Sequence, residues 1–239
     1  RENPPLESRE DFVLVRSEEN AQADSKGYRA ILVPGKEPKW DAHTPVIHSL
    51  HGLEYLSDGD VVYLSPSGFV RTLYRRDSPH NFILFTDQCN SFCLMCSQPP
   101  RQVNDFDRIH EHFRLIDLID PGTVELGITG GEPTLFKDDF LRVIEYCKKK
   151  LPDTVLHVLT NGRLFYYREF AKKLGDIAHP DIMLGIPLYS DVDSEHDYVV
   201  QARGAFEETV LGIQNLGRYN VPVEIRVVIH KQTYGRLPQ

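Results

Sequence analysis

The pattern of apolar and polar positions changes character near residue 80. Before that point, short β-branched and aromatic runs at Phe12–Val15, Tyr28–Val33 and Val46–Leu50 predict strands. Val61–Leu64 and Phe69–Tyr74 flank Ser65-Pro66-Ser67-Gly68, whose turn chemistry predicts a β-hairpin. From Asn81 onward, apolar runs alternate with helical patterns. Strands are predicted at Phe82–Thr86, Thr123–Thr129, Val155–Thr160, Ile182–Leu188 and Val223–Ile229. Between them, Ile109, Phe113, Ile116 and Ile119 recur at helical spacing, as do Phe140, Ile144, Cys147 and Leu151. Further helices are expected at about 164–175 and about 205–219. Such alternation requires right-handed crossovers and a parallel sheet.

The fold class is therefore α/β. Residues 81–239 are read as a partial (β/α) barrel of parallel strands and residues 1–80 as a small, all-β N-terminal domain, with Arg75-Arg76-Asp77-Ser78-Pro79 as the boundary. Five strand–helix units are too few for a closed eight-fold barrel, so an open sheet, a partial barrel or a truncated core are the alternatives. With Leu237-Pro238-Gln239 just after the fifth strand, the core is expected to be truncated at its C-terminal end.

Composition narrows the function classes. The chain has 239 residues, is 41% hydrophobic and 26% charged, and carries 27 basic against 35 acidic residues, a net charge of −8. No apolar run approaches the roughly 18 residues of a membrane span. An acidic chain offers no broad electrostatic footprint for nucleic acid. Four cysteines are too few for a disulfide scaffold of this size, and three lie within eight positions. That grouping suits a metal or cluster site in a reducing, cytoplasmic compartment.

In parallel α/β architectures, chemistry collects where strands end and loops lead into helices. Cys89-Asn90-Ser91-Phe92-Cys93-Leu94-Met95-Cys96 follows the first strand of the core, Gly130-Gly131-Glu132-Pro133 the second, Asn161-Gly162 the third and Tyr189-Ser190-Asp191 the fourth. All four clusters fall on one rim. The C-x3-C-x2-C spacing lets one loop wrap three thiolates around one centre, and iron and zinc both accept thiolate. On a four-iron, four-sulfur (4Fe-4S) cluster, three thiolates leave one iron open to a ligand. The zinc alternative is a structural or partner-binding module that takes a histidine, His110 or His112, as its fourth ligand.

The cysteine loop after the first strand, followed in register by Gly-Gly-Glu-Pro after the second, resembles the radical S-adenosylmethionine (radical SAM) superfamily over roughly the last two-thirds of the chain. The resemblance implies that Cys89, Cys93 and Cys96 ligate a 4Fe-4S cluster. It further implies that the open iron binds S-adenosylmethionine (SAM), and that an electron from the cluster cleaves SAM to methionine and a 5′-deoxyadenosyl radical. Met95 stands where the family commonly has an aromatic residue, and its polarizable sulfur suits contact with adenine.

Gly130 and Gly131 would let backbone approach the cofactor closely. Glu132 would accept a charge-assisted hydrogen bond from the ammonium of SAM, and Pro133 completes the motif. The bland alternative is a tight turn before a helix capped by Asp138 or Asp139, with Glu132 solvated. Asn161 and Ser190 are further cofactor candidates, Ser190 toward the ribose. Arg203, in Ala202-Arg203-Gly204-Ala205-Phe206, is a candidate for the SAM carboxylate. Within the superfamily the chain is most similar to peptide- and protein-modifying maturases, and with its β-rich lead to the maturase of the His-Xaa-Ser repeat system. This implies a peptide or protein substrate and a reductant such as flavodoxin or ferredoxin.

Other reactive residues read as structural. Cys147 lies on the stripe with Phe140, Ile144 and Leu151 and is expected in the core. His110 and His112 point to different faces of a helix. His48 and His51 would share a face only in a helix. Lys148-Lys149-Lys150 reads as a solvated helix end complementing the macrodipole.

Overall fold

The structure is a computed structural model and describes residues 13–15, 27–34, 36, 44–65, 67–229, 231 and 234–236. Phe12 and Leu237-Pro238-Gln239 lie outside the described residues. The chain divides into two compact units, residues 1–58 with 63–71, and residues 59–62 with 72–239.

In the first unit, strands β1 (Val13–Val15), β2 (Ala30–Pro34) and β3 (Val46–Leu50) form a parallel sheet in that order. Ile31, Leu32 and Val33 are fully buried, which fits their apolar run. Strands β4 (Val61–Leu64) and β5 (Val70–Tyr74) pair as the predicted hairpin. Its turn is closed by the Gly68 N–H donating to the Ser65 carbonyl.

The second unit holds a five-stranded parallel sheet of β6 (Asn81–Leu84), β7 (Glu125–Thr129), β8 (Val155–Leu159), β9 (Ile182–Pro187) and β10 (Val223–Arg226). The strands lie side by side in sequence order without reversal. That progression belongs to a barrel wall, whereas a doubly wound sheet switches direction midway. The helices are α1 (Arg108–Leu118), α2 (Asp138–Lys150), α3 (Arg168–Ile177), α4 (Asp193–Val200) and α5 (Ala205–Arg218). All five strands and four of the helices were predicted. The exception is α4, whose eight residues are mostly polar.

One face of the sheet is the core. Ile83, Phe85, Leu126, Ile128, Leu156, Val158, Leu184 and Ile186 are buried with Ile116, Phe140, Ile144 and Leu174 of the helices. The opposite face mixes apolar and polar groups, with Phe82 over Gly127, and Leu159, His157 and Arg226 around Gly185. There His157 lies 3.8 Å from both Glu125 and Glu224, Arg226 lies 3.4 Å from Glu224, and Phe82 is about half exposed. Helix α2 starts with Asp138 and Asp139 and ends with Lys148-Lys149-Lys150, so charge complements its dipole at both ends. The lysine run is nevertheless not simply solvated. Lys148 donates to the Ile177 carbonyl at 2.6 Å, and Lys150 pairs with Asp117 at 2.7 Å. Cys147 is fully buried in the core, its thiol pushed up to about 12 by burial, as its place on the apolar stripe predicts.

Candidate functional site

The predicted rim exists as one connected assembly, organised around the root of the cysteine loop. Beyond β7 the chain stays in register with the segment after β6. The Gly131 N–H donates to the Thr86 carbonyl and the Glu132 N–H to the Gln88 carbonyl, both at 2.7 Å. The two glycines make room for this contact. A Cβ on Gly131 would sit 1.9 Å from the Gln88 oxygen, and one on Gly130 2.5 Å from the Thr86 oxygen, at a φ of 137° that side chains rarely adopt.

Glu132 is fully buried, which overturns the solvated alternative. Its Oε1 accepts from the Thr134 N–H (3.0 Å), the Thr134 hydroxyl (2.5 Å) and the Thr160 hydroxyl (2.6 Å), while Oε2 accepts from the Asn161 N–H (2.6 Å). It thereby caps the short 3-10 turn Pro133–Phe136, with Pro133 at the first position where a missing N–H costs nothing. Neither aspartate caps α2. The N-cap is Lys137, and Asp138 and Asp139 occupy the first turn. Burial pushes the Glu132 carboxyl above its ordinary value, and the hydrogen bonds from Thr134, Thr160 and Asn161 pull it back only partly. No lysine, arginine or histidine among the described residues pairs with it.

A second carboxylate, which the sequence reading missed, holds the other side of the same root. Buried Asp105 accepts from the Thr86 hydroxyl (2.9 Å), the Asp87 N–H (2.9 Å) and Gln88 Nε2 (2.6 Å). Burial opposes its ionisation, but these donors and Arg108 hold its carboxyl below the usual range.

The three cysteines are free thiols, with Cys89 and Cys93 partly buried and Cys96 exposed. Burial first, then the charge of Glu132, pushes the Cys89 thiol up to about 11, and Cys93 and Cys96 add to the rise. Cys93 is raised by burial and by Cys96, with Arg163 working against the rise. Thiols in that position become thiolates on gaining a cationic centre. A 4Fe-4S cluster fits this donor set. Thiolate is the ligand such clusters take, one sulfur to each of separate irons. Of the two histidines proposed for zinc, His112 is engaged elsewhere. His112 Nε2 lies 2.8 Å from the Phe85 carbonyl inside the core, and His110 is exposed.

The neighbouring loops grip this segment from both sides. The Phe92 and Leu94 N–H groups each donate at 2.9 Å to the Val200 and Val199 carbonyls, at the end of α4. Cys93 and Met95 pack there against Tyr189, Val199, Val200 and Ala205. Asn161 Nδ2 donates to Asn90 Oδ1 at 2.6 Å and lies 3.9 Å from the Cys89 sulfur, placing Asn161 between Glu132 and the cysteine loop. Ser190 is buried, but its hydroxyl donates to Glu195 at 2.7 Å and accepts from the Val192 N–H, fixing the turn into α4. Arg203 is exposed between α4 and α5, next to Ala202 in the patch around Met95. Arg163 was also missed by the sequence reading and touches the Asn90 carbonyl directly.

The chain was compared with known proteins. The family model described as the radical SAM superfamily matches residues 83–238, more than half of the chain. Among curated relatives, a GTP 3′,8-cyclase of Nautilia profundicola is 35% identical over 100 residues, covering 38% of this chain and 29% of that protein. An Fe-coproporphyrin III synthase of Methanosarcina barkeri is 28% identical over 156 residues, covering 64% of this chain and 37% of that protein. The chain thus spans about a third of the length of these two relatives. Among solved structures, SuiB of Streptococcus suis superposes with a TM-score of 0.53 at 17% identity, over 68% of this chain and 36% of that one, which is a likeness of fold. The chain belongs to the radical SAM superfamily, whose cofactors are a 4Fe-4S cluster and S-adenosylmethionine.

Proposed function

We propose that this chain is the cofactor-binding core of a radical SAM enzyme that modifies a peptide or protein, with residues 1–80 as an appended β domain. Cys89, Cys93 and Cys96 hold the cluster, and the Gly130-Gly131-Glu132-Pro133 segment, Asn161, Ser190 and Arg203 line the place of SAM. When bound, the pair supplies a 5′-deoxyadenosyl radical that takes a hydrogen from substrate.

The protein's own residues seat and orient. Asp105 and the two glycines fix the root of the cysteine loop, and the end of α4 fixes its middle. Glu132, buried and without a cation, offers its Oε2 to the SAM ammonium. Ser190 has an acceptor lone pair left for a ribose hydroxyl, and Arg203 carries a free positive charge for a carboxylate. The observation that carries this reading is the buried Glu132, locked by four donors and tied through Asn161 to the cysteine loop.

The substrate class rests on the resemblance to peptide maturases and on the polar groups among the apolar ones on this face of the sheet, where Glu125, His157, Glu224 and Arg226 can hydrogen-bond a peptide. A peptide bearing His-Xaa-Ser repeats is the first candidate, with flavodoxin or ferredoxin as reductant and the cytoplasm as compartment. Identity to GTP 3′,8-cyclases favours a second reading, a nucleotide substrate. The test is anaerobic reconstitution with iron and sulfide, followed by reduction with SAM alone, with a His-Xaa-Ser peptide, or with GTP. A brown protein forming 5′-deoxyadenosine, with a mass change on the peptide, supports the proposal. A colourless protein binding one zinc, or an intact reduced cluster that forms no deoxyadenosine, overturns it. Modification of GTP instead replaces the substrate assignment.

A further inference from the structure

Arg163 is the first residue of a 3-10 turn, Arg163–Tyr166, that follows β8 on the catalytic rim. Its side chain is only 13% exposed and spans two elements. Toward the cysteine loop, Nη1 donates to the Asn90 carbonyl and, at 3.1 Å, to the Ser91 hydroxyl, both between the first and second cysteines. Toward the outer layer, Nε donates at 2.6 Å to Glu208 in the first turn of α5.

The turn that carries Arg163 is itself fixed. Gly212 of α5 lets the helix approach until a Cβ there would be 2.3 Å from the Gly162 oxygen, and Asn215 Nδ2 donates to the Phe165 and Tyr166 carbonyls at 3.0 Å. A guanidinium held this way has little freedom to leave, and it sits against the backbone between Cys89 and Cys93 in a shielded position where charge is weakly screened.

We propose that Arg163, clamped between the Asn90–Ser91 backbone and Glu208, is a positioning residue that seats the cysteine loop and sets the charge felt by the cluster on it. The inference deepens the cluster assignment above and rests on it. Adding an electron makes the cluster more negative, so a nearby cation favours the reduced form and a nearby carboxylate disfavours it. Removing Arg163 and removing Glu208 therefore act in opposite directions, a pattern that simple loosening of the loop does not produce.

The experiment uses the full chain, reconstituted anaerobically, as wild type, Arg163→Met, Arg163→Lys and Glu208→Gln. It reads chelator-resistant iron per chain, and the midpoint potential from redox titration followed by electron paramagnetic resonance. Arg163→Met is expected to lose iron to chelator faster and to shift the potential negative, by about tenfold in the reduced-to-oxidised ratio, or about 59 mV for one electron. Arg163→Lys keeps the charge without the fork, so its potential returns toward wild type while its iron remains less tightly held. Glu208→Gln is expected to shift positive.

Wild-type iron retention and potential in Arg163→Met overturn the inference and leave the cluster assignment standing. A wild-type chain that takes up no cluster overturns the assignment itself. Should Arg163→Met fail to fold, Glu208→Gln decides, and an unchanged or negative-going potential there refutes the proposal.

Discussion

Replacing Glu132 with glutamine probes the carboxylate at the centre of the site while preserving its shape. Alanine is the poorer choice. It would strand the Thr134 and Asn161 N–H groups, which cannot reorient, at a cost of about 1–3 kcal/mol each, on top of the cavity left by the side chain. Glutamine keeps an acceptor for Thr134 and Thr160 and turns its NH2 toward Asn161, so its stability loss is confined to about one such penalty.

Its effect on SAM is larger. A charge-assisted hydrogen bond contributes about 1.5–3 kcal/mol, so affinity should fall about 10- to 150-fold, with iron content unchanged because the proposed partner is the cofactor's ammonium. The pH dependence follows from the raised carboxyl. A group whose folded value lies above its ordinary 4.5 contributes stability below 4.5 and loses it as pH climbs through the folded value. The protein without SAM should therefore lose stability over that interval. An ammonium on Oε2 favours the ionised form, so the thermal shift produced by SAM should grow over the same interval in wild type and stay flat in Glu132→Gln. Calorimetric titration of SAM and SAM-dependent melting at stepped pH read both effects. Undiminished SAM affinity, or iron lost together with SAM affinity, would refute the reasoning.

Cys93→Ala should lose most of its iron and visible absorbance while the far-ultraviolet circular dichroism stays near wild type, read on the anaerobically reconstituted protein. Gly131→Ala drives a methyl into the Gln88 carbonyl and should cost about 1–3 kcal/mol in denaturant unfolding and impair iron uptake; an unchanged midpoint would remove the steric reason given for that glycine. Cys147→Ser buries a hydroxyl in an apolar layer and should cost about 1–3 kcal/mol with colour and iron intact. Full stability with iron missing would instead make Cys147 a ligand.

The parts of this architecture that were legible in the sequence are those written as periodic patterns or as cysteine spacing. The strands from β6 to β10 announced themselves because buried parallel strands are near-continuous apolar runs. Strand β10 stops at Arg226, three residues short of the predicted end at Ile229, since hydrophobicity alone does not supply a pairing partner. Helix α4 escaped notice because only His196, Val199 and Val200 are buried in it. Its position could have been inferred from Ser190, which fixes the turn before it.

The approach of Gly130 and Gly131 to the Thr86–Gln88 backbone was not legible, because a sequence shows that a Cβ is missing and not what fills the space. Asp105 sits in an irregular stretch with no period to mark it. Arg163 did have a signal, as a cation directly after Asn161-Gly162 on a rim already rich in candidate chemistry. What it touches, in a loop over 70 positions earlier, only the fold reveals.

Helix α4 closes on its own left-handed cap at Gln201, whose N–H returns to the Asp197 carbonyl, and the hydrogen bonds from Phe92 and Leu94 give the Val200 and Val199 carbonyls partners from the cysteine loop. Oxidative damage that strips the loop of its inorganic core would therefore be felt first as fraying of a helix about a hundred residues downstream. Amide deuteration of residues 193–200 would then be a reporter of cofactor integrity that needs no spectroscopic handle on the metal.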